Sequence, residues 1–466
     1  MKNDNRLTIA SLATLIRRKK ISPVQLTQFC LDRISLLQPS INAYITVTAE
    51  SALRQARQAE KEIVRGDYRG MLHGIPISLK DIFHTKGIRT TAGSRILNKF
   101  VPSENAVVVE RLLSAGSILL GKTNMHEFAY GPTNLNPHYG HVRNPWDTSR
   151  MSGGSSGGSA ASVVTAQAIA SFGTDTGGSI RIPAAACGCV GLKPTYGRIS
   201  SKGVIPLAWS LDHPGPLARS VRDAAILFDA TAEPMQCGRS RKQETLLRKE
   251  IRGLRIGIPR QYFFDRIHPE VRRAVLSAAE VFEQSGARVG EVNLKGMEET
   301  AQLAAAIVGA EAVAYHDEWM RQKPQEYGYD VISRLELTRE FPATRYIRAL
   351  QKMTAYRERL SAVLNDVDVL LAPTLPIVAP PLDVAIMKIG RAREDVLSAL
   401  LRLTRPGNLS GLPSISVPCG FSSDGLPVGL QLIGKEFDEA TLLSAAFAYE
   451  SATDWHTYFP PDIFLQ

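Results

Sequence analysis

The sequence predicts an α/β protein in which helices cover both faces of a β-sheet. Short apolar runs with alternating periodicity, such as GIPISLKDIF at 74–83, alternate with longer segments of helical periodicity along most of the chain. Strands that alternate with helices are typical of a sheet layered between helices. With 466 residues and 44% hydrophobic composition, the chain is long enough for a large core and is not predicted to be disordered.

The first seventy residues are predicted to be helical and to pack on the outside of this core. Ser22 and Pro23 supply an N-cap and a proline at the first helical position, and Gln25 stands at the capping-box position. Ala49 to Val64 continues with strong helix formers. From Met71 the periodicity changes to alternation, so the segment that ends at Lys80 is predicted to be a strand.

The rest of the chain continues the alternation. A helix at 106–116 leads into a strand at 117–120, and a strand, helix and strand are predicted at 253–259, 269–286 and 287–294. Residues 299–365 are predicted to be mostly helical. Late strands at 367–376 and 414–434, the latter a pair joined by a turn at Ser422 to Leu426, precede a closing helix at 438–451. The polar, basic stretch 233–250 is predicted to be a surface loop between two halves of one fold.

Composition and charge restrict the functional classes. No apolar run of about 18 residues is present, so no membrane span is predicted. The net charge of +10 permits contact with anionic surfaces, but the basic clusters are not interleaved with aromatics, and no nucleic-acid partner is predicted. Five scattered cysteines and an amino terminus without a secretory signal pattern indicate a reduced cytoplasmic location. Cys187 and Cys189 form a lone C-x-C pair, which we interpret as buried apolar packing rather than a metal site.

The segment from Met151 to Ala186 is rich in glycine and serine, as a flexible linker would be. It also carries apolar residues that can be buried, among them Val163, Ile169 and Phe172. Glycines next to buried elements are typical of backbone that approaches a ligand or adopts positive φ. We therefore predict a structured site here and not a linker.

Two serines in this segment are candidate nucleophiles. Gly153-x-Ser155-x-Gly157 matches the nucleophile elbow of α/β-hydrolases, which needs a strand before the serine and a late histidine. The preceding HVRNPWDTSRM is predicted to be a poor strand, and His456 is the histidine near the end of the chain. No phosphate-binding glycine motif is present in the segment.

Ser179 has different surroundings. Thr176, Gly177 and Gly178 precede it, so that successive backbone amides of 176–179 can converge as an oxyanion hole. An ordinary serine in a tight turn fits the local sequence equally well. A serine nucleophile needs a base, and the candidate is Lys80, because burial at a strand end lowers the pKa of a lysine.

The blocks GIPISLKD, GKTNMHEFAYG, GGSSGGSAA and GTDTGGSIRIPAAACGCVGLKPTYGRIS closely resemble those of the amidase signature family. The resemblance implies that family's fold, a large mixed central β-sheet covered by α-helices on both faces, with residues 71–466 as the catalytic domain and 1–70 packed on it. It implies a Ser-cisSer-Lys triad in which Ser179 is the nucleophile, Lys80 the base and Ser155 the relay after a cis peptide bond. It also implies amide hydrolysis without a metal or cofactor.

The same resemblance suggests roles for further residues. Asp175 and Arg181 would brace the turn that carries Ser179. The substrate side would be lined by members of the block GKTNMHEFAYG and by one tryptophan: Met125, Phe128, Tyr130, Gly131 and Trp209. Family members cleave aliphatic, aryl, peptide-terminal and carbamoyl amides, and residues 299–400 are the variable region in which specificity is expected.

The blocks GLKPTYGRIS and NLSGLPSISVPCG are similar to those of glutamyl-tRNA amidotransferase A subunits, which hydrolyse glutamine. Where those proteins have an acidic residue, this chain has Leu401, and an alanine at the start of the segment 304–312 replaces a tyrosine. Arg334 is the candidate for their carboxylate-binding arginine. Because an ammonium would be poorly held beside Leu401, we favour a stand-alone amidase with a small-molecule amide substrate.

Two alternatives remain open at this point. One is a glutamine-hydrolysing amidotransferase component with partner subunits, and the other is a non-catalytic protein that retains the fold. A homodimer is compatible with the stand-alone interpretation.

Overall fold

The computed structural model describes residues 7–234, 242–390 and 392–461. Its strands are β1 Tyr44–Val47, β2 Pro76–Lys80, β3 Ile118–Thr123, β4 Arg143–Asn144, β5 Asp147–Met151, β6 Ala170–Asp175, β7 Val190–Lys193, β8 His213–Ala218, β9 Arg255–Pro259, β10 Arg288–Val292, β11 Val369–Pro373, β12 Ile386–Ile389, β13 Ala392–Asp395, β14 Ser414–Phe421 and β15 Pro427–Gly434. Its helices are α1 Ile9–Arg17, α2 Pro23–Ile41, α3 Ala49–Arg65, α4 Val107–Ser114, α5 Gly157–Val164, α6 Arg181–Cys187, α7 Val221–Thr231, α8 Arg260–Phe263, α9 Pro269–Gln284, α10 Thr300–Gln322, α11 Tyr329–Arg339, α12 Ala343–Asp366, α13 Val396–Arg402, α14 Arg405–Ser410 and α15 Glu439–Ala452.

One large sheet organises the protein. Its 11 strands run in the order β1-β3-β2-β6-β8-β7-β14-β15-β11-β9-β10. The pairs of β2 with β3 and β6, and of β9 with β10 and β11, are parallel, and the other pairs are antiparallel. Helices connect the strands and pack against the sheet. The mixed α/β fold predicted from the alternation of strand and helix patterns is therefore confirmed.

The amino-terminal segment departs in one respect from the prediction. Its helix α2 has the predicted capping box, with the Ser22 side chain accepting from the amides of Val24 and Gln25. Residues 1–70 were expected to be wholly helical, but β1 pairs antiparallel with β3 at the edge of the large sheet. A strand of 4 residues gives too short an alternation to be distinguished from a connection between helices.

Two other predicted features are modified. The segment before Ser155 was expected to be a poor strand, yet β5 pairs with β4 in a separate two-stranded sheet. Such a small ribbon tolerates the charged and polar side chains of Asp147–Met151 because several of them face solvent. The loop expected at 233–250 lies partly outside the described residues, and its described part includes a short 3₁₀ turn at Gln243–Leu246.

The register of three neighbouring strands defines the edge of the sheet on which the site lies. Leu79 of β2 is level with Phe172 of parallel β6, and Asp175 at the end of β6 is level with His213 at the start of antiparallel β8. The carboxyl ends of β2 and β6 therefore meet the loop that leads into β8. In α/β sheets, ligands bind at the carboxyl ends of parallel strands. Over the described ranges, no helix is both long enough and apolar enough to cross a bilayer.

Candidate active site

The glycine- and serine-rich segment 151–186 is folded and almost completely buried. It comprises the end of β5, a loop, α5, β6, a second turn and most of α6. Every residue in it is buried except Gly177, which is half-buried. Cys187, which follows it, and Cys189 pack with alanine, valine and isoleucine side chains, as the apolar interpretation predicted. The segment is a structured element, as predicted, and not a linker.

Lys80 is the last residue of β2, and its side chain is fully buried. Its Nζ donates to Ser155 Oγ and to Thr174 Oγ1, both at 2.7 Å. Burial lowers the pKa of the Lys80 amine to about 7, although the carboxylates of Asp212 and Asp175 act in the opposite direction. A large fraction of this amine is therefore neutral near pH 7 and can accept a proton.

Ser155 follows a cis Gly154–Ser155 peptide bond and lies directly beside the lysine. The loop has no room for a side chain at Gly154, because a Cβ there would lie 2.7 Å from the backbone nitrogen of Asn134. Next to it, the Ser156 amide donates to the Ser179 carbonyl at 3.2 Å. This backbone contact holds the Ser155 loop against the turn that carries Ser179.

Ser179 lies in the turn between β6 and α6. Within the described ranges, its hydroxyl makes no hydrogen bond, and the amides of Gly177, Gly178 and Ser179 have no acceptor. Gly178 has a φ of +131°, and a Cβ there would lie 2.1 Å from Thr404 Oγ1. Unengaged, adjacent amides beside a free hydroxyl form the arrangement that an oxyanion requires.

Asp175 and Arg181 brace this turn from beneath. Arg181 Nε and one terminal nitrogen donate to the two carboxylate oxygens of Asp175, each at 3.0 Å, and both side chains are fully buried. Asn408 Nδ2 donates to the same carboxylate at 2.7 Å and its Oδ1 accepts from Arg181 at 2.7 Å. Burial by itself would raise the pKa of Asp175, but the charge and hydrogen bonds of Arg181 hold it well below its usual range.

Several residues of the site were not found from the sequence. Thr176 Oγ1 donates to Asp212 at 2.5 Å, and Thr404 Oγ1 donates to the Gly177 carbonyl at 2.6 Å. Thr174 is the second acceptor for Lys80. Asp212, in the block WSLDHPG, had a signal as a lone acidic residue next to a predicted strand. Thr404 and Thr174 had none, because a single threonine carries no pattern.

The residues predicted for the substrate side are placed unequally. Met125 and Phe128 are buried in the core, and the Phe128 ring contacts His316, Trp319 and Tyr327. Trp209 is 48% exposed, and its carbonyl accepts from the Tyr196 hydroxyl at 2.7 Å. The sequence patterns did not distinguish the interior side chains from the exposed one.

Tyr130, Gly131 and Arg334 lie together where α11 meets the core. Arg334 donates to the Tyr130 carbonyl, lies over its ring, and pairs with Asp330 at 3.3 Å. The imidazole of His126 occupies the space where a Gly131 side chain would be, and its Nε2 is 2.9 Å from Asp330 Oδ2. The guanidinium of Arg334 therefore already has a carboxylate partner in this structure.

His456 lies away from the serines. Its carbonyl accepts from Arg219, which follows the last residue of β8. The site edge lies at the opposite end of β8, where His213 is level with Asp175. A strand of 6 residues spans roughly 20 Å, so the elbow arrangement of Ser155 with His456 is not formed.

The geometry agrees with comparisons to known proteins. The sequence profile of the Amidase family matches residues 25–443. This chain belongs to the amidase signature family. Amidase-signature proteins are enzymes that act on C–N amide bonds, and the fold described above is that of their solved structures.

Three relatives illustrate the range of this family. An A-type component of a glutamyl-tRNA(Gln) amidotransferase from Chloroflexus aggregans is 43% identical, over 97% of this chain and 98% of its own. A solved chain from a vestigial protein complex, described for the evolutionary origins of an s-triazine catabolic enzyme, is 35% identical with a TM-score of 0.91, covering 95% of this chain and 98% of its own. A crystal structure described as that of an amidase is also 35% identical, with a TM-score of 0.88, covering 95% of this chain and 99% of its own.

Proposed function

We propose that this amidase-signature enzyme hydrolyses a linear carboxylic amide through an acyl-enzyme on Ser179, with Lys80 as general base and Ser155 as proton relay. The observation that carries the proposal is the Lys80 amine, which is fully buried, contacts the Ser155 hydroxyl at 2.7 Å and has a pKa of about 7. An exposed lysine would remain charged at neutral pH and could not serve as a base.

The reaction follows from these positions. Ser179 Oγ attacks the amide carbon while its proton passes to Ser155, whose own proton passes to Lys80. The amides of 177–179 stabilise the negative charge on the carbonyl oxygen. The proton then returns through Ser155 to the leaving nitrogen, and the C–N bond breaks to give amine or ammonia and acyl-Ser179. Water hydrolyses this ester by the same proton path, which releases the carboxylic acid.

A panel of simple, aryl and amino-acid amides tests the proposal. Hydrolysis by the wild type should be abolished by Ser179→Ala and by Lys80→Ala, and mass spectrometry should detect an acyl group on Ser179. His456→Ala is the matched control and should retain activity. Loss of activity in Ser155→Ala and His456→Ala, with Ser179→Ala active, would overturn the proposal in favour of the elbow. A wild type that neither turns over nor becomes acylated would favour a non-catalytic role.

The names of the curated relatives support a second candidate, a glutamine-hydrolysing A subunit of a tRNA amidotransferase. These names favour it more directly than they favour a stand-alone amidase. Such a protein would work with partner subunits, and its glutaminase activity would depend on them. The solved structure described as an amidase supports the stand-alone interpretation.

The oxyanion turn supplies an observation against glutamine. Leu401 Cδ2 lies 3.1 Å from where a Cβ on Gly177 would be, so an apolar side chain borders the turn. An ammonium group placed there would lose water without gaining a counter-charge. Glutaminase assays of the chain alone, and with added amidotransferase partner subunits and tRNA, distinguish the candidates. Activity that needs partners and tRNA would support the amidotransferase, and activity of the isolated chain on other amides would support the amidase.

A further inference from the structure

A guanidinium without a counter-charge lies close to the oxyanion turn. It belongs to Arg405, the first residue of α14, which is half-buried. Across the ranges that the structure describes, its side chain forms no hydrogen bond and no ion pair. Burial lowers the pKa of Arg405, and among the described residues only the Tyr262 phenol acts on it in the opposite direction. A cation removed from water is costly unless something compensates its charge.

The backbone directs Arg405 to the same side as Leu401. Leu403 and Thr404 between them have helical dihedral angles, with φ and ψ of −83° and −14° and of −96° and −30°. Residues four apart on a helical turn are neighbours on one face. Leu401 borders Gly177, and Thr404 donates to the Gly177 carbonyl at 2.6 Å. Arg405 thus belongs to the short segment that packs on the turn carrying Ser179.

The neighbouring arginines are engaged in a way that Arg405 is not. Arg402 donates to Glu394 at 3.0 Å and to backbone carbonyls. Arg181 is paired with Asp175, and Arg334 with Asp330. A structural role explains each of these three cations. For Arg405 the described part of the chain offers no internal partner, which is the condition expected of a group whose partner is a ligand.

We propose that Arg405 is a specificity-determining residue that binds a carboxylate of the substrate, while Leu401 contacts the apolar chain between that carboxylate and the scissile amide. This inference rests on the proposed amide hydrolysis at Ser179. The substrate class is a monoamide of a dicarboxylic acid, which has a carboxylate for Arg405 and no ammonium beside Leu401. A guanidinium binds a carboxylate with two parallel hydrogen bonds, which fixes the orientation of the amide as well as its affinity.

Paired substrates of equal length test this inference. The monoamide of glutaric acid and pentanamide differ in one terminal group, a carboxylate against a methyl. In the wild type, kcat/KM for the monoamide should exceed that for pentanamide by at least about tenfold, and Arg405→Gln should lower this ratio by about 10- to 100-fold. Arg405→Lys should lower it less, since it keeps the charge but loses the bidentate geometry. Arg348→Gln, an exposed position on α12, is the matched control and should not change the ratio.

The outcomes separate the two proposals. Hydrolysis of both amides at similar kcat/KM, or a ratio unchanged in Arg405→Gln, would overturn the role of Arg405 and leave the Ser179 mechanism standing. Failure to hydrolyse any amide, with no acylation of Ser179, would overturn the proposed function itself. If Arg405→Gln does not fold, as checked by thermal unfolding, inhibition of the wild type decides. Glutarate should then inhibit at least about tenfold more strongly than glutaramide, and equal inhibition would refute the inference.

Discussion

Two regions of this protein hold their buried charges in opposite ways. In the catalytic centre, comprising 151–186 and the end of β2, every charged group has partners: Lys80 contacts two hydroxyls and Asp175 is paired with Arg181. In the helical cover, comprising 299–411, Arg405 has no partner among the described residues. A closed network fixes geometry for chemistry, whereas an open one leaves a charge available to select a ligand. The difference assigns reaction type to the first region and substrate choice to the second.

The largest expected effect concerns the nucleophile of the centre. Ser179→Ala should lower kcat by at least about 10⁴-fold, because the groups of a triad act as a unit. Amide hydrolysis under saturating substrate measures it. Ser398→Ala, in helix α13 of the cover, has an exposed position and serves as control. Comparable losses in both variants would remove the functional distinction between the regions.

A methyl group at the oxyanion turn should have the next largest effect. Gly178→Ala places a Cβ 2.1 Å from Thr404 Oγ1 at a φ of +131°, so the turn must shift. We expect kcat to fall by about 10²- to 10³-fold, as when an oxyanion donor is lost. Gly177→Ala is the matched control, since its Cβ meets only the end of the Leu401 side chain at 3.1 Å. Equal losses would show that the turn does not depend on Gly178.

The pH dependence tests Lys80 directly. The base works in its neutral form, and burial places the pKa of Lys80 at about 7. The value of kcat/KM should therefore rise about tenfold per pH unit below pH 7 and level off above it. Hydrolysis of an uncharged amide between pH 5 and 10 records the profile. A rate that still rises steeply at pH 9 would show that the amine retains the ordinary pKa of a lysine.

Breaking equivalent ion pairs in the two regions compares their stability. Asp175→Asn leaves the fully buried Arg181 without a counter-charge and should lower the free energy of unfolding by about 3–5 kcal/mol. Asp317→Asn removes the partner of Arg321 in an exposed pair on α10, and the cost should stay below about 1 kcal/mol. Denaturant unfolding of both variants gives the difference. A small loss in Asp175→Asn would mean that the turn is not braced by this pair.

The smallest expected effect sharpens the role of the cover. Leu401→Asp places a carboxylate four residues before Arg405, where it can neutralise the guanidinium. We expect the preference for a carboxylated over a neutral amide to fall about fivefold, and glutamine to become a better substrate. The ratio of kcat/KM values for glutaric monoamide and pentanamide measures the change, with Leu401→Asn as the uncharged control. An unchanged ratio would separate Leu401 from the substrate.

Much of the centre could be predicted because its signals are local. The alternation before Lys80 specified a buried strand end, and glycines flanking apolar residues specified a folded, buried segment at 151–186. The capping box of Ser22 and Gln25 is equally local, and the structure contains it. Each of these features depends on side-chain periodicity or backbone preference within one or two turns of chain.

Features that depend on distant segments could not be predicted. β1 is a strand only because β3 offers it an edge, and β5 only because β4 pairs with it. Thr404 reaches Gly177 across 227 positions, and Asn408 reaches Asp175 across 233. Single threonines and asparagines have no periodicity, so their roles emerge only when the fold brings their partners to them.

The sequence by itself determined the α/β class, the buried glycine- and serine-rich segment and the three residues expected to carry the chemistry, because these are encoded in short patterns. Only the tertiary structure decided that Lys80 is fully buried against Ser155 and Thr174, that His456 lies at the far end of β8, and that Arg405 lacks a partner among the described residues. Burial and pairing are properties of everything that surrounds a group, and the surroundings of a side chain are supplied by the fold.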